Sequence, residues 1–246
     1  MNPLFPKTTS LLASVLSVEE AREAVAGGAA VIDVKNPFEG ALGAPAPSIV
    51  RAVRAVIPPH IHVSAALGDM PNLPGTSALA AAGAAWAGAS IVKVGLYGPS
   101  SPEEVVRLLE TTAEALKEGF PGVALVAGAY ADASSFGGVD PLEVPECAAR
   151  AGAAGCLLDT FNKTSGLTLL DLMPLPEIKQ FTLSCGERNL FSALAGSLGF
   201  DETIQLLSLK PDYLGYRGIL CEGGRTGRLS REKVRRISEA ITGGSR

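Results

Sequence analysis

A strand-like apolar run followed by a helix-like segment recurs eight times along the 246-residue chain, and this repeat limits the possible folds most strongly. The strand candidates are residues 11–16, 30–35, 61–67, 90–97, 123–130, 155–160, 192–198 and 213–219. Their near-continuous apolar character is typical of parallel strands that are covered on both faces. Eight such units in a chain of this length predict a (βα)8 TIM barrel of the α/β class.

Capping residues predict where several of the helices begin. Ser17 with Glu20, and Ser101 with Glu104, have the spacing of a capping box, in which each side chain bonds an otherwise unpaired amide. Residues 75–86 are rich in alanine and predict a helix that packs closely on the strands. Further helix starts are predicted at Asp140, Asp201 and Ser230.

The composition shows no break, so residues 1–246 are interpreted as one domain, with residues 1–9 as an N-terminal extension. A doubly wound open sheet is the competing architecture. It would require a glycine-rich dinucleotide turn after the first strand, and residues 16–19 contain no glycine. The barrel is therefore favoured.

Charge and residue counts exclude several function classes. A net charge of -4 gives no electrostatic footprint for nucleic acid. The basic run at 225–236 is interpreted as a solvated helix, with a phosphate-facing role open for Arg225. Two histidines and four cysteines without metal-ligand spacing predict no metal site, and we expect no cofactor. No apolar run is long enough to span a membrane, so we expect a cytoplasmic protein with reduced thiols.

The second predicted strand ends in charged residues, at the edge where barrel enzymes place their active sites. Side chains alternate along a strand, so Asp33 and Lys35 face the same way. The apolar pair Ile32 and Val34 suits the side that packs against helices. Asp33 and Lys35 are therefore predicted to point into the barrel mouth.

Two later strands add charged residues to the same mouth. The alternation in residues 91–95 directs Lys93 inward, and strand six delivers Asp159, with Lys163 four residues later. A lysine that forms a Schiff base must be uncharged, and desolvation and nearby positive charge both lower its pKa. The alternative is a structural ion pair between Asp33 and Lys35 that only closes the mouth.

The loops after strands seven and eight often bind phosphate in such barrels, through backbone amides. Here they contain Gly196 and Ser197 after strand seven, and Arg217 and Gly218 on strand eight. Glycine permits close approach of the backbone, and the serine and arginine supply donors. We therefore predict a phosphate site at these four residues. The following loop, 221–225, is either a lid or a flexible connection.

Three polar residues near the mouth have open roles. Asp69 fits a turn at least as well as catalysis, and Tyr130 and Asp132 either contact substrate or do not. His60 and His62 stand at the start of strand three, away from the predicted active face.

Several motifs resemble one family of barrel enzymes along nearly the whole chain. They are the segments DVKNP at 33–37, KVGLYG at 93–98, YADA at 130–133, LDT at 158–160, ALAGSL at 193–198 and RG at 217–218. These are similar to (5-formylfuran-3-yl)methyl phosphate synthase, also called 4-(hydroxymethyl)-2-furancarboxaldehyde-phosphate synthase.

The resemblance implies a lyase that condenses two glyceraldehyde 3-phosphate molecules into a phosphorylated furan aldehyde for methanofuran-type carriers. It implies that Lys35 is the Schiff-base residue and Lys93 the acid/base. It also maps the family's aspartates to Asp33 and Asp159, and its later lysine to Lys163. The partner implied is a triose phosphate.

Two other functions remain open from the sequence. One is a generic class I aldolase-like barrel for phosphosugars that stops after carbon–carbon bond formation. The other is a non-catalytic sensor of a phosphate ligand. The alanine-rich outer helices are also compatible with a homo-oligomer.

Overall fold

In a computed structural model, which describes residues 4–243, eight parallel strands form a closed barrel in sequence order. The first and last strands pair with each other and close the cylinder. The barrel strands are β1 (Ser10–Val15), β2 (Val31–Val34), β3 (His62–Met70), β4 (Ile91–Leu96), β5 (Ala124–Tyr130), β6 (Gly155–Asp159), β7 (Phe191–Leu194) and β8 (Tyr213–Tyr216). The predicted (βα)8 barrel is confirmed.

Helices connect the strands and cover the outside of the barrel. They are α1 (Val18–Ala26), α2 (Pro47–Val56), α3 (Pro74–Trp86), α4 (Pro102–Gly119), α5 (Val144–Arg150), α6 (Leu169–Leu172), α7 (Leu175–Glu187), α8 (Phe200–Leu207) and α9 (Arg231–Gly243). A short antiparallel hairpin, β9 (Cys221–Glu222) and β10 (Arg228–Leu229), lies between β8 and α9. The sequence patterns do not predict this hairpin.

Strand alternation divides the buried residues into two cores. One lies between the barrel and its helices, and Ile32 and Val34 belong to it. The other fills the barrel interior with residues such as Leu12, Val31 and Phe191. The predicted phase of β2 is confirmed, since its apolar pair faces the helices and its charged residues face the interior.

Each of the two predicted capping boxes forms only one of its two reciprocal hydrogen bonds. Ser17 accepts a hydrogen bond from the Glu20 amide, and Ser101 accepts one from the Glu104 amide. The Glu20 carboxylate instead bonds the Leu16 amide, and that of Glu104 bonds Ser100. Each glutamate reaches one residue further back than the capping-box pattern requires.

Several predicted boundaries differ from the structure. The helix expected at Asp140 begins at Val144, because the Asp140 carboxylate caps a turn by accepting from the Leu142 amide. Strands β7 and β8 end at Leu194 and Tyr216, earlier than predicted. The residues that follow them leave the extended conformation and form loops at the barrel mouth.

The N-terminal segment ahead of β1 covers the bottom of the barrel. The Phe5 ring packs edge-on against Phe191, and the Tyr213 hydroxyl donates a hydrogen bond to the Leu4 carbonyl. Residues 1–3 of the predicted extension lie outside the described residues. This segment therefore adds to the core at the end of the barrel opposite the charged mouth.

The outer surface contains an apolar helix face. Helix α3 has no charged residue, and Leu79 and Trp86 on it are 78% and 65% exposed. Self-association through such a face stays a prediction. Among residues 4–243, no helix has the length and hydropathy needed to cross a bilayer.

Candidate active site

A cavity of about 350 Å³ opens at the carboxyl ends of the barrel strands. Its walls combine apolar side chains from the barrel interior with polar groups from the strand ends and loops. All five predicted catalytic residues line it: Asp33, Lys35, Lys93, Asp159 and Lys163. The four predicted phosphate-binding residues also line it: Gly196, Ser197, Arg217 and Gly218. The structure thus brings every predicted site residue to the wall of one cavity.

Asp33 is the centre of the hydrogen-bond network on one side of this cavity. Its carboxylate accepts hydrogen bonds from the hydroxyls of Ser14 (2.9 Å) and Ser64 (2.6 Å), which lie on the two neighbouring strands. Its Oδ1 is also 2.6 Å from Nζ of Lys93. Among the described residues Asp33 pairs with Lys93, and the alternative ion pair with Lys35 is not formed.

Asp159 and Lys163 form a second ion pair across the cavity. Lys163 Nζ lies 2.5 Å from Asp159 Oδ1 and 2.9 Å from the Thr160 hydroxyl. The Thr160 amide donates to the same carboxylate oxygen at 2.8 Å. Lys163, which comes from a loop, is thereby fixed at the end of β6.

Lys35 differs from the other two lysines because it has no partner. Within residues 4–243 its Nζ makes neither an ion pair nor a hydrogen bond, although the residue is only 8% exposed. Burial lowers the pKa of Lys35 to about 8, and the nearby carboxylates of Asp159 and Asp33 only partly oppose this shift. About one-tenth of this amine is therefore uncharged at pH 7, far more than for an ordinary lysine.

The two cavity carboxylates stay ionised. Burial alone would raise the pKa of Asp33, but the charges of Lys93 and Lys35 outweigh it and the net shift is downward. Burial likewise opposes ionisation of Asp159, and the charges of Lys163 and Lys35 hold its pKa below the ordinary value. Both groups can therefore accept protons or hold an ammonium group in place.

The loop after β7 lines the cavity, and it contains backbone amides that have no acceptor among the described residues. Gly196 has a φ of +113°, and a side chain there would lie 2.8 Å from Thr160. Ser197 follows in the left-handed region with a φ of 53°. In the part of the chain described, the amides of Gly196, Ser197 and Leu198 have no hydrogen-bond acceptor. Successive free amides in such a turn form a concave anion site.

Arg217 does not fit the predicted role in phosphate binding. Its guanidinium forms a buried pair with Glu20, with Nη1–Oε2 at 2.5 Å and Nη2–Oε1 at 3.1 Å. Its remaining donors bond the carbonyls of Ser14, Arg225 and Gly227. Because every donor is used inside the protein, this residue joins segments around the mouth and has none left for a ligand.

Two carboxylates with roles left open by the sequence organise loops. Asp69 accepts hydrogen bonds from the amides of Ala41 and Leu42 and from the Tyr130 hydroxyl. Asp132 accepts from the amides of Phe161 (2.7 Å) and Asn162 (2.8 Å), directly before Lys163. Both residues therefore hold the loops that carry cavity residues.

An aromatic cluster beside the mouth was not predicted from the sequence. The rings of Tyr97 and Phe161 are stacked at 4.7 Å, and Phe136 contacts both. These side chains come from the loops after β4, β5 and β6. The KVGLYG segment contains a signal that could have indicated it, an aromatic residue directly after a strand.

Other predicted features are also located by the structure. Cys156 is buried with a free thiol on β6. His62 lies at the start of β3, where its Nδ1 contacts the Ser90 hydroxyl at 3.1 Å. In residues 4–243 no cluster of three or more histidine, cysteine or acidic side chains could hold a metal ion.

Solved structures of other barrel enzymes share this fold. The phosphoribosyl anthranilate isomerase from Thermus thermophilus superposes with a TM-score of 0.61 and 17% identity, covering 96% of this chain and 99% of that one. A structure of KGPDC from Streptococcus mutans gives a TM-score of 0.64 and 13% identity, covering 95% of this chain and 97% of that one. At these identities the likeness shows the fold alone.

Relatives found by sequence share far more residues with this chain than these solved structures do. A family model described as 4-HFC-P synthase matches residues 11–238. The (5-formylfuran-3-yl)methyl phosphate synthase of Methanothermobacter thermautotrophicus is 43% identical over 233 residues, which cover 94% of this chain and 98% of the relative. The protein of the same name from Archaeoglobus fulgidus is 41% identical and covers 95% and 99%. The resemblance inferred from the motifs is thus confirmed, and the protein belongs to the 4-HFC-P synthase family.

Proposed function

We propose that this protein is a lyase that condenses two molecules of glyceraldehyde 3-phosphate into (5-formylfuran-3-yl)methyl phosphate through a Schiff base on Lys35. The observation that carries the proposal is the contrast among the three cavity lysines. Lys93 and Lys163 are each held by a carboxylate, whereas Lys35 is buried, unpaired and has a pKa of about 8. The names of the similar enzymes support the same product.

The uncharged amine of Lys35 attacks the carbonyl of the first triose phosphate and releases water as the imine forms. The protonated imine then acts as an electron sink, so loss of a proton from the adjacent carbon gives an enamine. That carbon attacks the aldehyde of the second triose phosphate. Elimination of phosphate, ring closure and loss of water give the furan, and hydrolysis of the imine restores Lys35.

The atoms balance without an oxidant. Two triose phosphates lose one phosphate and two water molecules to give the six-carbon product. The imine supplies the electron sink, so this sequence of steps needs neither a metal nor a redox cofactor.

Lys93 and Asp33 are suited to the proton transfers. Lys93 Nζ lies 2.6 Å from Asp33 Oδ1, and the two serine hydroxyls hold that carboxylate in place. A pair arranged in this way takes a proton in one step and returns it in another. Asp159 and Lys163 form the matching pair for protonation of the departing oxygens.

The turn after β7 is suited to the phosphate of the bound triose. Free amides at Gly196 and Ser197, together with that of Gly218 after β8, belong to residues that line one side of the cavity. Backbone amides bind a phosphate dianion through short charge-assisted hydrogen bonds. We propose that the product enters the furan part of methanofuran-type one-carbon carriers.

Incubation of the purified protein with glyceraldehyde 3-phosphate tests the proposal. We expect an ultraviolet-absorbing furan phosphate and free phosphate in equal amounts, and borohydride should fix a mass adduct on Lys35. Lys35→Arg should abolish both signals, because a guanidinium forms no imine. Lys117→Arg, on the exposed surface of α4, is the matched control.

The outcomes separate this function from the aldolase-like alternative. A trapped adduct with a sugar phosphate product and no furan would favour the aldolase. An adduct on a different lysine, or none, would overturn the proposal.

A further inference from the structure

The charges that line the cavity divide into paired and unpaired groups. Seven charged residues line it, namely Asp33, Lys35, Lys93, Asp159, Lys163, Arg217 and Arg225. Three of the cations are neutralised by carboxylates, in the pairs Asp33–Lys93, Asp159–Lys163 and Glu20–Arg217. Among the described residues, the cavity cations without a carboxylate partner are Lys35 and Arg225.

Arg225 is held over the cavity by the hairpin that follows β8. Its carbonyl accepts a hydrogen bond from Nε of Arg217 at 2.9 Å, and the Gly227 carbonyl accepts one from Nη2 of the same residue at 2.8 Å. Arg217 is itself fixed by Glu20 at the start of α1. The buried pair therefore holds both ends of the loop that carries Arg225.

The guanidinium of Arg225 extends to the loop after β2. Its Nη2 donates to the Gly40 carbonyl at 2.5 Å and approaches the Ala41 carbonyl at 3.5 Å. Within residues 4–243, its Nε and Nη1 have no hydrogen-bond acceptor. The charges that face it are Asp159, Asp69 and Arg217, and neither carboxylate is close enough to form an ion pair. An arginine stays protonated in proteins, so this is a fixed positive charge with free donors.

The proposed reaction requires two phosphate-bearing substrates in one cavity. The free amides after β7 supply one anion site, on the side of the barrel formed by β7 and β8. Arg225 lies on the other side of β1, against the loop after β2, and its charge has no counterion. A second phosphate at this position would supply the missing negative charge.

We propose that Arg225 binds the phosphate of the second glyceraldehyde 3-phosphate, and that the Glu20–Arg217 pair is there to position it. This inference rests on the proposed function, since it names the subsite for the second substrate of that reaction. The first substrate, bound as an imine on Lys35, uses the amides after β7 instead. Arg225 is thus a binding residue, and Arg217 is a positioning residue.

Substitution of Arg225 separates the two substrates. In Arg225→Ala we expect the borohydride adduct on Lys35 to form as in the unchanged protein, because imine formation needs only the first substrate. The rate of furan formation at a low concentration of glyceraldehyde 3-phosphate should fall about 10- to 100-fold, the range for loss of a charged hydrogen bond. Arg225→Lys should recover part of the loss, because it keeps the charge but not the fork of donors.

A phosphate-free aldehyde gives a readout that a merely structural role would not change. We expect the unchanged protein, loaded with one triose phosphate on Lys35, to prefer glyceraldehyde 3-phosphate over glyceraldehyde as the second reactant by about 10-fold or more. Arg225→Ala should lose that preference. Arg228→Ala, an exposed position on the same hairpin, should retain both the rate and the preference.

The outcomes distinguish failure of this inference from failure of the proposed function. If the unchanged protein forms neither adduct nor furan, the proposed function fails. If it forms both, and Arg225→Ala keeps the rate and the preference for the phosphorylated aldehyde, only the role of Arg225 is wrong. Loss of the Lys35 adduct in Arg225→Ala would also contradict it, since the residue would then serve the first substrate.

Discussion

At the scale of single residues, the distribution of carboxylates determines which cavity lysine is left unpaired. Asp33 and Asp159 each hold one lysine at hydrogen-bond distance and so leave Lys35 as an unpaired amine. Burial favours the neutral form of that amine, and the two positive neighbours, Lys163 and Lys93, act in the same direction. The two carboxylates thus hold the other two ammonium groups, and their charges only partly oppose the lowered pKa of Lys35.

The lowered pKa of Lys35 predicts the pH dependence of imine formation. An amine with a pKa of about 8 is roughly one-tenth neutral at pH 7, whereas an ordinary lysine with a pKa of about 10.5 is far less so. The initial rate of adduct formation should rise about tenfold per pH unit below 8 and level off above it. Cyanoborohydride trapping followed by mass spectrometry across this range measures the rate.

A surface change provides the control for that profile. Asp140→Asn removes an exposed carboxylate that caps a turn away from Lys35, and the midpoint should stay near 8. A rate that continues to climb to pH 10 would mean that Lys35 titrates as an ordinary lysine.

At the scale of elements, carboxylates on neighbouring loops hold the loops that line the cavity in position. Asp132, after β5, binds two successive amides at the start of the loop after β6. That loop carries Lys163, whose own contacts are with Asp159 and Thr160 at the strand end. The loop is therefore fixed at its base by backbone contacts and at its side chain by an ion pair.

Asp132→Asn should weaken the loop after β6 without removing any group from the cavity. The amide side chain places a donor against one of the two backbone N–H groups, at a cost of about 1–3 kcal/mol for the unsatisfied group. We expect faster hydrogen exchange at Phe161 and Asn162 and a lower kcat with little change in KM. Hydrogen exchange and steady-state kinetics measure the two effects.

Asp140→Asn is the matched change for this test as well, since Asp140 is an exposed carboxylate in the same connection. It should leave exchange at Phe161 and Asn162 unchanged. Normal exchange and normal kcat in Asp132→Asn would show that Lys163 needs no support from this loop contact.

At the scale of the whole molecule, the buried charges of the cavity oppose folding, and the apolar cores of the barrel offset their effect. Two apolar cores, one inside the strands and one beneath the helices, surround a cavity lined by ionised groups. Burying a charge without a partner opposes folding, and Lys35 is such a group whenever it is protonated. A buried, unpaired group of this kind is expected to lower the free energy of unfolding.

Lys35→Met should therefore stabilise the fold near neutral pH. The pKa of Lys35 is about 8 when folded and about 10.5 in an unfolded chain, so the unfolded state binds the proton more tightly. This difference destabilises the protein by about 3 kcal/mol below pH 8. The penalty shrinks as the pH rises from 8 to 10.5 and is absent above that. Denaturant unfolding at pH 7 and at pH 9.5 measures the free energy of unfolding.

The gain of Lys35→Met over the unchanged protein should be larger at pH 7 than at pH 9.5. Lys117→Met, at an exposed site on α4, should change the unfolding free energy equally at both pH values. A pH-independent gain in Lys35→Met would show that packing of the methionine, rather than removal of a charge, causes it.

The sequence by itself determined the barrel, the inward direction of its charged residues and their convergence on one mouth. Strand alternation decides which way Asp33, Lys35 and Lys93 face, and parallel closure brings their strand ends together. These properties depend on local periodicity, which a single sequence displays. The motif resemblance added the family.

Only the tertiary structure decided which charges pair with which. Asp33 binds Lys93 rather than its near neighbour Lys35, and Arg217 binds Glu20 from the opposite end of the chain. The sequence therefore predicted Arg217 as a phosphate ligand and left Arg225 open. Pairing depends on distances of a few ångströms between atoms from distant segments, and strand periodicity carries no information about those distances.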